Sequence, residues 1–193
     1  MMNARPGLGG LPMAGSRRAT WAALSDAQLL AQCEVDTYRA SGPGGQKRNK
    51  TSSAVRLRHP ASGLIVIAEE SRSQHENRAR ALRRLRQALY LRIREPLRAE
   101  LQTLLENAAC PEYAILHGAN GRLDWGRKDE RFWPAVGLVL DALQSTSGRV
   151  AEAAALLGIS TGNLVHFLQT EPKVWEEANH LRVQFGQKPL KSS

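Results

Sequence analysis

Several residue types are scarce in this sequence, and each shortage excludes a class of site. The two cysteines, Cys33 and Cys110, stand far apart with no other cysteine nearby, so neither a disulfide framework nor a CxxC metal pair is available. The five histidines occur singly, without HxxxH or HxxE spacing, so we predict no metal site and no cofactor. No stretch approaches the roughly 20 apolar residues that span a bilayer. We therefore expect a protein of a reducing compartment without a membrane partner.

Acidic residues are few compared with basic ones. The chain of 193 residues has 18 Asp and Glu against 27 Lys and Arg, a net charge of +9 and a pI near 10.2. Its 42% hydrophobic and 23% charged residues are ordinary for a globular protein. The excess of positive charge favours an anionic partner, with nucleic acid first, over a basic surface that serves only solubility. We expect a monomer.

The first twenty residues lack acids altogether and carry three arginines. They contain no continuous apolar run that would serve as the core of a secretory signal. We expect a disordered leader over residues 1–19 and a cytoplasmic protein. Because short, Arg-rich and acid-free leaders are also typical of mitochondrial presequences, a mitochondrial location is the alternative.

Local patterns predict a helix and then strands in the next part of the chain. In LSDAQLLAQC, Ser25 and Gln28 have the spacing of a capping box at a helix start. VDTYRAS is typical of a strand that enters a glycine-rich loop. SAVRLRH alternates apolar residues with arginines, the turn PASG follows, and LIVIA is β-branched. Residues 54–68 are therefore expected to form a hairpin with one core face and one basic face.

From Gln74 the period becomes helical, and arginines surround a single apolar stripe. The stripe consists of Leu82, Leu85, Leu89 and Ile93. The arginines are Arg78, Arg80, Arg83, Arg84, Arg86, Arg92 and Arg94. Since only Glu76 and Glu95 stand nearby to neutralise them, RNA contact is favoured over a solvated face. Pro96 either ends or kinks this helix, because LRAELQTLLENAA resumes the pattern beyond it.

The remainder of the chain predicts a linker and a helical bundle. Residues 107–129 have no sustained period and are rich in Gly, Asn and Pro, so we place the linker there. Residues 130–186 contain four short helical patterns, and residues 187–193 form a brief basic tail. RVAEAAALLGISTGNLVHFL resembles a helix-turn-helix, but its second helix offers only Asn163 and His166 for base contact and no Lys or Arg. Helix packing or docking is therefore favoured over DNA readout.

The most specific feature is the loop YRASGPGGQKRNK. Gly42, Gly44 and Gly45 have no Cβ, so the backbone can approach another molecule closely and present both the N–H and the amide of Gln46. Basic residues around it suit a phosphate backbone: Arg39, Lys47, Arg48, Lys50, Arg56 and Arg58. An amide and a backbone N–H orient a water and stabilise an oxyanion, which acyl-ester hydrolysis requires.

RASGPGGQKRNKTSSAVRLRHPASGLIV, continued by ESRSQHENRARALRRLRQALY, resembles the GGQ domain of class I peptide chain release factors and of their shorter relatives that rescue stalled ribosomes. The resemblance covers about residues 36–95. It implies hydrolysis of the ester between the nascent peptide and tRNA in the ribosomal peptidyl transferase centre. Gly44, Gly45 and Gln46 match the family motif and would be the catalytic residues. Gln46 would also be a candidate for N5-methylation, with a glutamine methyltransferase as partner.

Further positions match the family pattern, and one departs from it. Asn49, Lys50, Arg72, Ser73 and Gln74 match supporting or RNA-contacting positions. Together with the basic residues, they give a predicted RNA-binding set of Arg39, Lys47, Arg48, Asn49, Lys50, Arg56, Arg58, Arg72, Gln74 and Arg78. Position 48 is Arg where the family commonly has an apolar residue, which favours a side branch of the family.

The combined expectation is an α+β fold with two parts. A release-factor GGQ domain over residues 20–106, with a small β-sheet and a packed basic helix, precedes a small all-α bundle with a helix-turn-helix-like segment. Because fewer than forty residues precede the loop, we expect codon-independent peptidyl-tRNA hydrolysis for ribosome rescue, with ribosomal RNA of the large subunit and peptidyl-tRNA as partners. The alternative is a non-catalytic ribosome- or RNA-binding module, or a helix-turn-helix regulator.

Overall fold

The computed structural model describes residues 17–39, 53–95, 97 and 122–191. Within these ranges the chain is α+β, with one three-stranded antiparallel sheet followed by a group of four helices, as the sequence predicts. The elements in chain order are α1 (Arg17–Ala23), α2 (Asp26–Ala31), β1 (Glu34–Tyr38), β2 (Ala54–His59), β3 (Leu64–Ala68), α3 (Gln74–Arg92), α4 (Phe132–Ser145), α5 (Val150–Leu156), α6 (Thr161–Gln169) and α7 (Pro172–Gln184).

The sheet has the strand order β1-β2-β3, and the predicted hairpin over residues 54–68 is confirmed. Because side chains alternate along a strand, Val55 and Leu57 point into the core, while Arg56 and Arg58 lie on the opposite face. The turn PASG closes with Gly63 at a φ of 72°, a left-handed conformation that favours glycine. The sheet therefore has one face in the core and one exposed face, which carries these arginines together with the exposed Ile65 and Ile67.

Helices α2 and α3 cover the core face of the sheet. The predicted capping box starts α2, since the Ser25 hydroxyl accepts a hydrogen bond from the Gln28 backbone N–H and the Gln28 side chain accepts one from the Ser25 N–H. Buried residues from all these elements form one cluster, which we call the sheet core. It contains Leu29, Val55, Leu57, Ala68, Ala81, Leu82 and Leu85.

Helices α4 to α7 enclose a second cluster, the bundle core, which also reaches back to α3. Phe132 of α4 and Phe167 of α6 are buried at its centre with their ring centroids 5.4 Å apart. Leu91, in the last turn of α3, belongs to this core. Leu82 and Leu85 of the same helix lie in the sheet core. Helix α3 therefore contributes residues to both clusters and connects them.

Three expectations about boundaries need correction. Helix α3 ends at Arg92, and Ile93 has an extended backbone, so Ile93 is not part of the helical stripe and Arg94 lies beyond the helix. Helix α1 begins at Arg17, so the expected leader over residues 1–19 does not hold for its last three residues. Leu123 lies in the bundle core, although we expected a linker at 107–129.

The helix-turn-helix pattern forms two short helices joined at a sharp turn. Helices α5 and α6 are bent by 103° at their connection, and Gly158 in the turn has a φ of 68°. Leu164 is buried and Ile159 packs against the same core, as their spacing predicts. No single helix in the described ranges is long and apolar enough to cross a bilayer, although α5 and α6 pass that test jointly as a bent pair, by length and composition only.

Candidate nucleic-acid interface

The predicted catalytic residues fall between β1 and β2. Gly44, Gly45 and Gln46 lie outside the described residues, as do four members of the predicted RNA-binding set, Lys47, Arg48, Asn49 and Lys50. The structure describes the two flanks of this segment, which end at Arg39 and begin again at Ser53. Six predicted site residues are therefore placed: Arg39, Arg56, Arg58, Arg72, Gln74 and Arg78.

The flank before the segment is anchored in the sheet. Tyr38 pairs with Ala54 at the end of the β1–β2 ladder. Its hydroxyl donates to a carboxylate oxygen of Glu69 over 3.4 Å. Desolvation raises the pKa of Tyr38, and the negative charge of Glu69 adds to the effect. The hydroxyl therefore stays protonated at neutral pH and acts as a donor.

The flank after the segment is held by Asn77 of α3, a residue that the sequence analysis did not single out. The Asn77 amide nitrogen donates to the carbonyl oxygens of Ser53, at 2.7 Å, and Ser71, at 2.8 Å. Its oxygen accepts from the Ser71 N–H at 3.0 Å. Asn77 is completely buried. One sequence signal could have found it. An asparagine inside a helix is unfavourable because its side chain competes for backbone hydrogen bonds, so its presence there indicates a tertiary partner.

Three residues of the predicted RNA-binding set are exposed, one after β1 and two at the start of α3. Arg39 follows β1, Arg72 precedes α3, and Gln74 is the first helical residue. Among the described residues, none forms an ion pair or side-chain hydrogen bond with any of them. With no partner among the described residues, the guanidinium groups of Arg39 and Arg72 are candidates for phosphate or base contact.

The two predicted residues on β2 have different surroundings. Arg56 forms two hydrogen bonds with one oxygen of Asp36, at 3.0 and 2.8 Å, and Arg58 lies 3.6 Å from Glu34. Both acids stand directly opposite these arginines on β1. Because all four side chains are about half exposed, the pairs are screened and weak. They still lower the positive potential of this face.

The arginines of α3 have more acidic neighbours than the sequence analysis expected. Arg80 contacts Glu70 and Glu76, and Arg84 forms an ion pair with Glu70. The hydrogen bond from Arg84 is the main cause that lowers the pKa of Glu70. Arg86 pairs with Asp26 at 2.7 Å and also donates to two backbone carbonyls near the end of α1. The premise that only Glu76 and Glu95 are nearby is therefore wrong, because the fold brings acids from other elements.

Arg78 is half-buried in the same helix. No described residue accepts a hydrogen bond from its Nε atom, which is buried. A guanidinium with an unsatisfied nitrogen is uncommon in a native fold, since the missing bond costs free energy. Its place in the first half of α3 keeps it in the candidate interface.

The second helix of the helix-turn-helix pattern does not present its asparagine to solvent. Asn163 is buried, and its side chain forms two hydrogen bonds of 2.9 Å with the backbone N–H and carbonyl of Leu123. The expectation that Asn163 is available for base contact is therefore wrong. Only His166 of the pair is exposed on α6.

A buried ionic cluster joins the two parts of the structure; we call Arg18, Arg94, Glu95 and Asp141 the junction. Arg18 Nη1 lies 2.6 Å from Asp141 Oδ2, and both side chains are 1% exposed. Arg94 approaches the other oxygen of Asp141 at 3.6 Å, and Glu95 accepts a hydrogen bond from the Arg18 backbone N–H at 3.0 Å. The junction thus ties α1 and the end of α3 to α4.

Burial dominates the electrostatics of the junction. Desolvation raises the pKa of Asp141 to about 6, against the opposing effect of Arg18, and lowers the pKa of Arg94 to about 10. Asp141 and Arg94 are therefore charged at neutral pH. Gly137 makes room for the cluster, because a Cβ there would lie 2.7 Å from the central carbon of the Arg18 guanidinium. No group of three or more His, Cys, Asp and Glu in the described part of the chain could hold a metal ion.

Comparison with known proteins identifies the region that contains the candidate interface. Residues 29–110 match the family model described as the RF-1 domain. Peptide chain release factor 2 of Acidithiobacillus ferrooxidans is 58% identical over 60 residues, 31% of this chain and 16% of that protein. Peptide chain release factor 1 of Gluconobacter oxydans is 54% identical over 65 residues, 34% of this chain and 18% of the relative.

A longer alignment is found with peptide chain release factor 2 of Corynebacterium diphtheriae, at 41% identity over 98 residues, 51% of this chain and 23% of the relative. The chain thus matches between about a sixth and a quarter of the length of these relatives. Residues 29–110 are therefore similar to the RF-1 domain and to the matching part of peptide chain release factors 1 and 2.

Proposed function

We propose that this protein hydrolyses the ester between the nascent peptide and tRNA in the peptidyl transferase centre of the ribosome. The observation that carries the proposal is the sequence Gly44-Gly45-Gln46 within a domain that matches the RF-1 family and release factors at 54 to 58% identity. Three residues alone would be weak support. The family match extends through the sheet and α3, so the motif stands in its expected context.

Gln46 would act without titrating. Its backbone N–H stabilises the oxyanion that develops on the ester carbonyl, and its side-chain amide orients the attacking water and excludes other groups. Gly44 and Gly45 lack Cβ atoms and so let the backbone approach the ester closely. The ribosome would supply most of the site. The isolated protein is therefore expected to be nearly inert toward free esters.

The basic residues would hold ribosomal RNA of the large subunit. Among the described residues, Arg39 and Arg72 have the strongest support because no described carboxylate neutralises them. Arg56 and Arg58 share their charge with Asp36 and Glu34, so their contribution should be smaller. Lys47, Arg48, Asn49 and Lys50 surround Gln46 in the sequence and complete the proposed contact set.

The finer proposal is codon-independent rescue of stalled ribosomes. It rests on the resemblance of residues 36–95 to short rescue hydrolases. The proposed setting is cytoplasmic, with a mitochondrial location as the alternative, and the proposed state is a monomer. Gln46 would be the substrate of a glutamine N5-methyltransferase. The proposed domains are the hydrolase over 20–106, which α1 extends back to Arg17, and the bundle over 130–186, whose core also includes Leu123.

Two further candidate functions differ in their support. A ribosome-binding module without hydrolysis would use the same basic surface, so only the chemistry separates it from the hydrolase. A helix-turn-helix regulator has less support, because the buried Asn163 is bonded to Leu123 and α6 carries no Lys or Arg.

Release of labelled peptide from ribosomes that hold peptidyl-tRNA and an empty A site tests the hydrolase. Wild type should release peptide. Gln46→Ala keeps the backbone N–H but loses the side-chain amide that orients the attacking water, so it should bind ribosomes equally and release peptide about 100-fold more slowly. Repeating the assay with mRNA that extends past the A site tests rescue. No release by wild type would reject the proposed function, and equal release by wild type and Gln46→Ala would reject the role of the Gln46 side chain.

A further inference from the structure

Asn77 connects three pieces of backbone at the point where the chain returns from the segment 40–52. Its amide nitrogen bonds the carbonyls of Ser53 and Ser71, and its oxygen accepts from the Ser71 N–H. Ser53 is the first described residue after the segment, Ser71 lies between β3 and α3, and Asn77 lies in the second turn of α3. The buried side chain of Asn77 thus fixes the backbone at Ser53, directly after the segment, to the β3–α3 connection and to α3.

The hydrogen-bond geometry at position 77 requires an asparagine side chain. The two donors of the amide point at two carbonyl oxygens, and the single amide oxygen faces an N–H. An aspartate of the same shape would set a second oxygen against both carbonyls, and an alanine would leave three partly buried backbone groups without this partner. No other common side chain of this size satisfies all three bonds.

Other residues already perform the ordinary structural tasks at this place. The Ser73 hydroxyl caps the start of α3 by accepting from the Glu76 N–H, and apolar side chains build the sheet core. The β1–β2 ladder ends at Tyr38 and Ala54, so the carbonyl of Ser53 lies beyond the register that the sheet fixes. The bond from Asn77 extends the constraint past the end of the ladder, toward Gln46, which is seven residues before Ser53.

We propose that Asn77 is a positioning residue for peptide release, which acts by fixing the backbone at Ser53 and so the point from which the segment with Gln46 extends. This inference rests on the proposed function. Misplacing a reacting group by about 1 Å can cost a factor of about 100 in rate. Loss of the Asn77 bonds should therefore lower the maximal rate of release and leave the affinity for the ribosome almost unchanged.

The kinetic test compares Asn77→Asp and Asn77→Ala with Leu85→Ala, a cavity-forming change in the sheet core that does not touch Ser53. All assays are run at a temperature where each variant is folded by circular dichroism. We expect the maximal release rate of both Asn77 variants to fall at least about tenfold, with the half-saturating protein concentration within about twofold of wild type. Leu85→Ala should keep the wild-type rate. An equal loss of rate in Leu85→Ala would reduce Asn77 to a stability role and overturn the proposal.

A second measurement does not depend on activity. Trypsin has cleavage sites in the segment at Lys47, Arg48 and Lys50, and the rate of cutting there under native conditions reports how the segment is held. We expect faster cutting in Asn77→Ala than in wild type or Leu85→Ala, with the remaining sites unaffected. Unchanged cutting would overturn the inference whether or not the protein releases peptide. Faster cutting combined with no release by wild type would instead reject the proposed function, and with it a role for Asn77 in release.

Discussion

The two parts of this molecule differ sharply in charge and in core. Residues 17–95 contain sixteen Lys and Arg against seven Asp and Glu, whereas residues 122–191 contain nine against eight. In the described residues, the sheet core has seven buried members and the bundle core has twenty. The first part is therefore a small scaffold with a large positive field, which suits RNA, and the second is a well-packed helical unit that is nearly neutral.

The comparison also separates two kinds of ion pair. The pairs on the sheet and α3 are largely exposed and set the surface potential, whereas the pair between Arg18 and Asp141 is 1% exposed on both sides. Buried pairs are costly to break because the remaining charge has no solvent. The junction therefore holds the bundle to the first part, while the surface pairs contribute little to stability.

Breaking the junction should give the largest loss in the free energy of unfolding. Arg18→Met removes the guanidinium that lies 2.6 Å from Asp141 and leaves the buried carboxylate with less compensation. We expect a loss of about 3 to 5 kcal/mol in the free energy of unfolding, measured by urea denaturation. A loss below about 1 kcal/mol would show that the junction behaves like a surface pair.

Filling the space that Arg18 occupies should have the next largest effect. In Gly137→Ala, the new methyl group would lie 2.7 Å from the Arg18 guanidinium carbon, and the guanidinium could move only by loosening its contact with Asp141. We expect a loss of about 1 to 3 kcal/mol, measured by urea denaturation.

Gly162→Ala is the matched control for Gly137→Ala. Gly162 is also helical, but nothing lies within 4 Å of the added Cβ. This change should increase stability by up to about 1 kcal/mol, because alanine is the better helix former. A similar gain in both variants would contradict the tight fit at Gly137.

The junction should also affect the pH dependence of stability. The pKa of Asp141 is about 6 in the folded protein against an ordinary 3.8, so between these values the folded state binds more protons than the unfolded state. The contribution of Asp141 to the free energy of unfolding therefore falls as the pH rises from about 4 to 6. The melting temperature of wild type minus that of Asp141→Asn should decrease over this range. A difference that increases from about pH 4 to 6 would contradict a raised pKa of Asp141 in the folded protein.

Breaking an exposed ion pair on the sheet should give the smallest change in the free energy of unfolding. Asp36→Asn removes the partner of Arg56 in a pair whose side chains are 43 and 51% exposed. We expect a change of no more than about 1 kcal/mol in the free energy of unfolding. A loss as large as that of Arg18→Met would remove the distinction between the two kinds of ion pair.

Much of the fold can be predicted from the sequence because the determining signals are local. The capping box at Ser25, the alternation around Val55 and Leu57, and the turn PASG that ends at Gly63 depend on residues near each other in the chain. The RF-1 match likewise follows from a continuous stretch. The end of α3 was less predictable, since Ile93 continues the apolar spacing while its backbone is extended.

The contacts between distant residues could not be predicted in this way. Asp26 and Glu70 neutralise arginines of α3 only because the fold brings them there. Arg18 lies in a stretch whose composition suggests a leader, yet it is buried against Asp141, more than 120 positions along the chain. Asn77 and Asn163 resemble ordinary polar residues until their backbone partners are known.

The most direct test of the account reverses two charges in each part and measures peptide release. Arg39→Glu with Arg72→Glu alters the basic part, and Arg122→Glu with Lys173→Glu makes the same charge change at exposed positions of the bundle region. We expect the half-saturating protein concentration to rise at least about tenfold for the first double variant and to stay within about twofold of wild type for the second. An equal effect of both, or a larger effect of the bundle variant, would contradict the claim that the basic part makes the contacts that place Gln46.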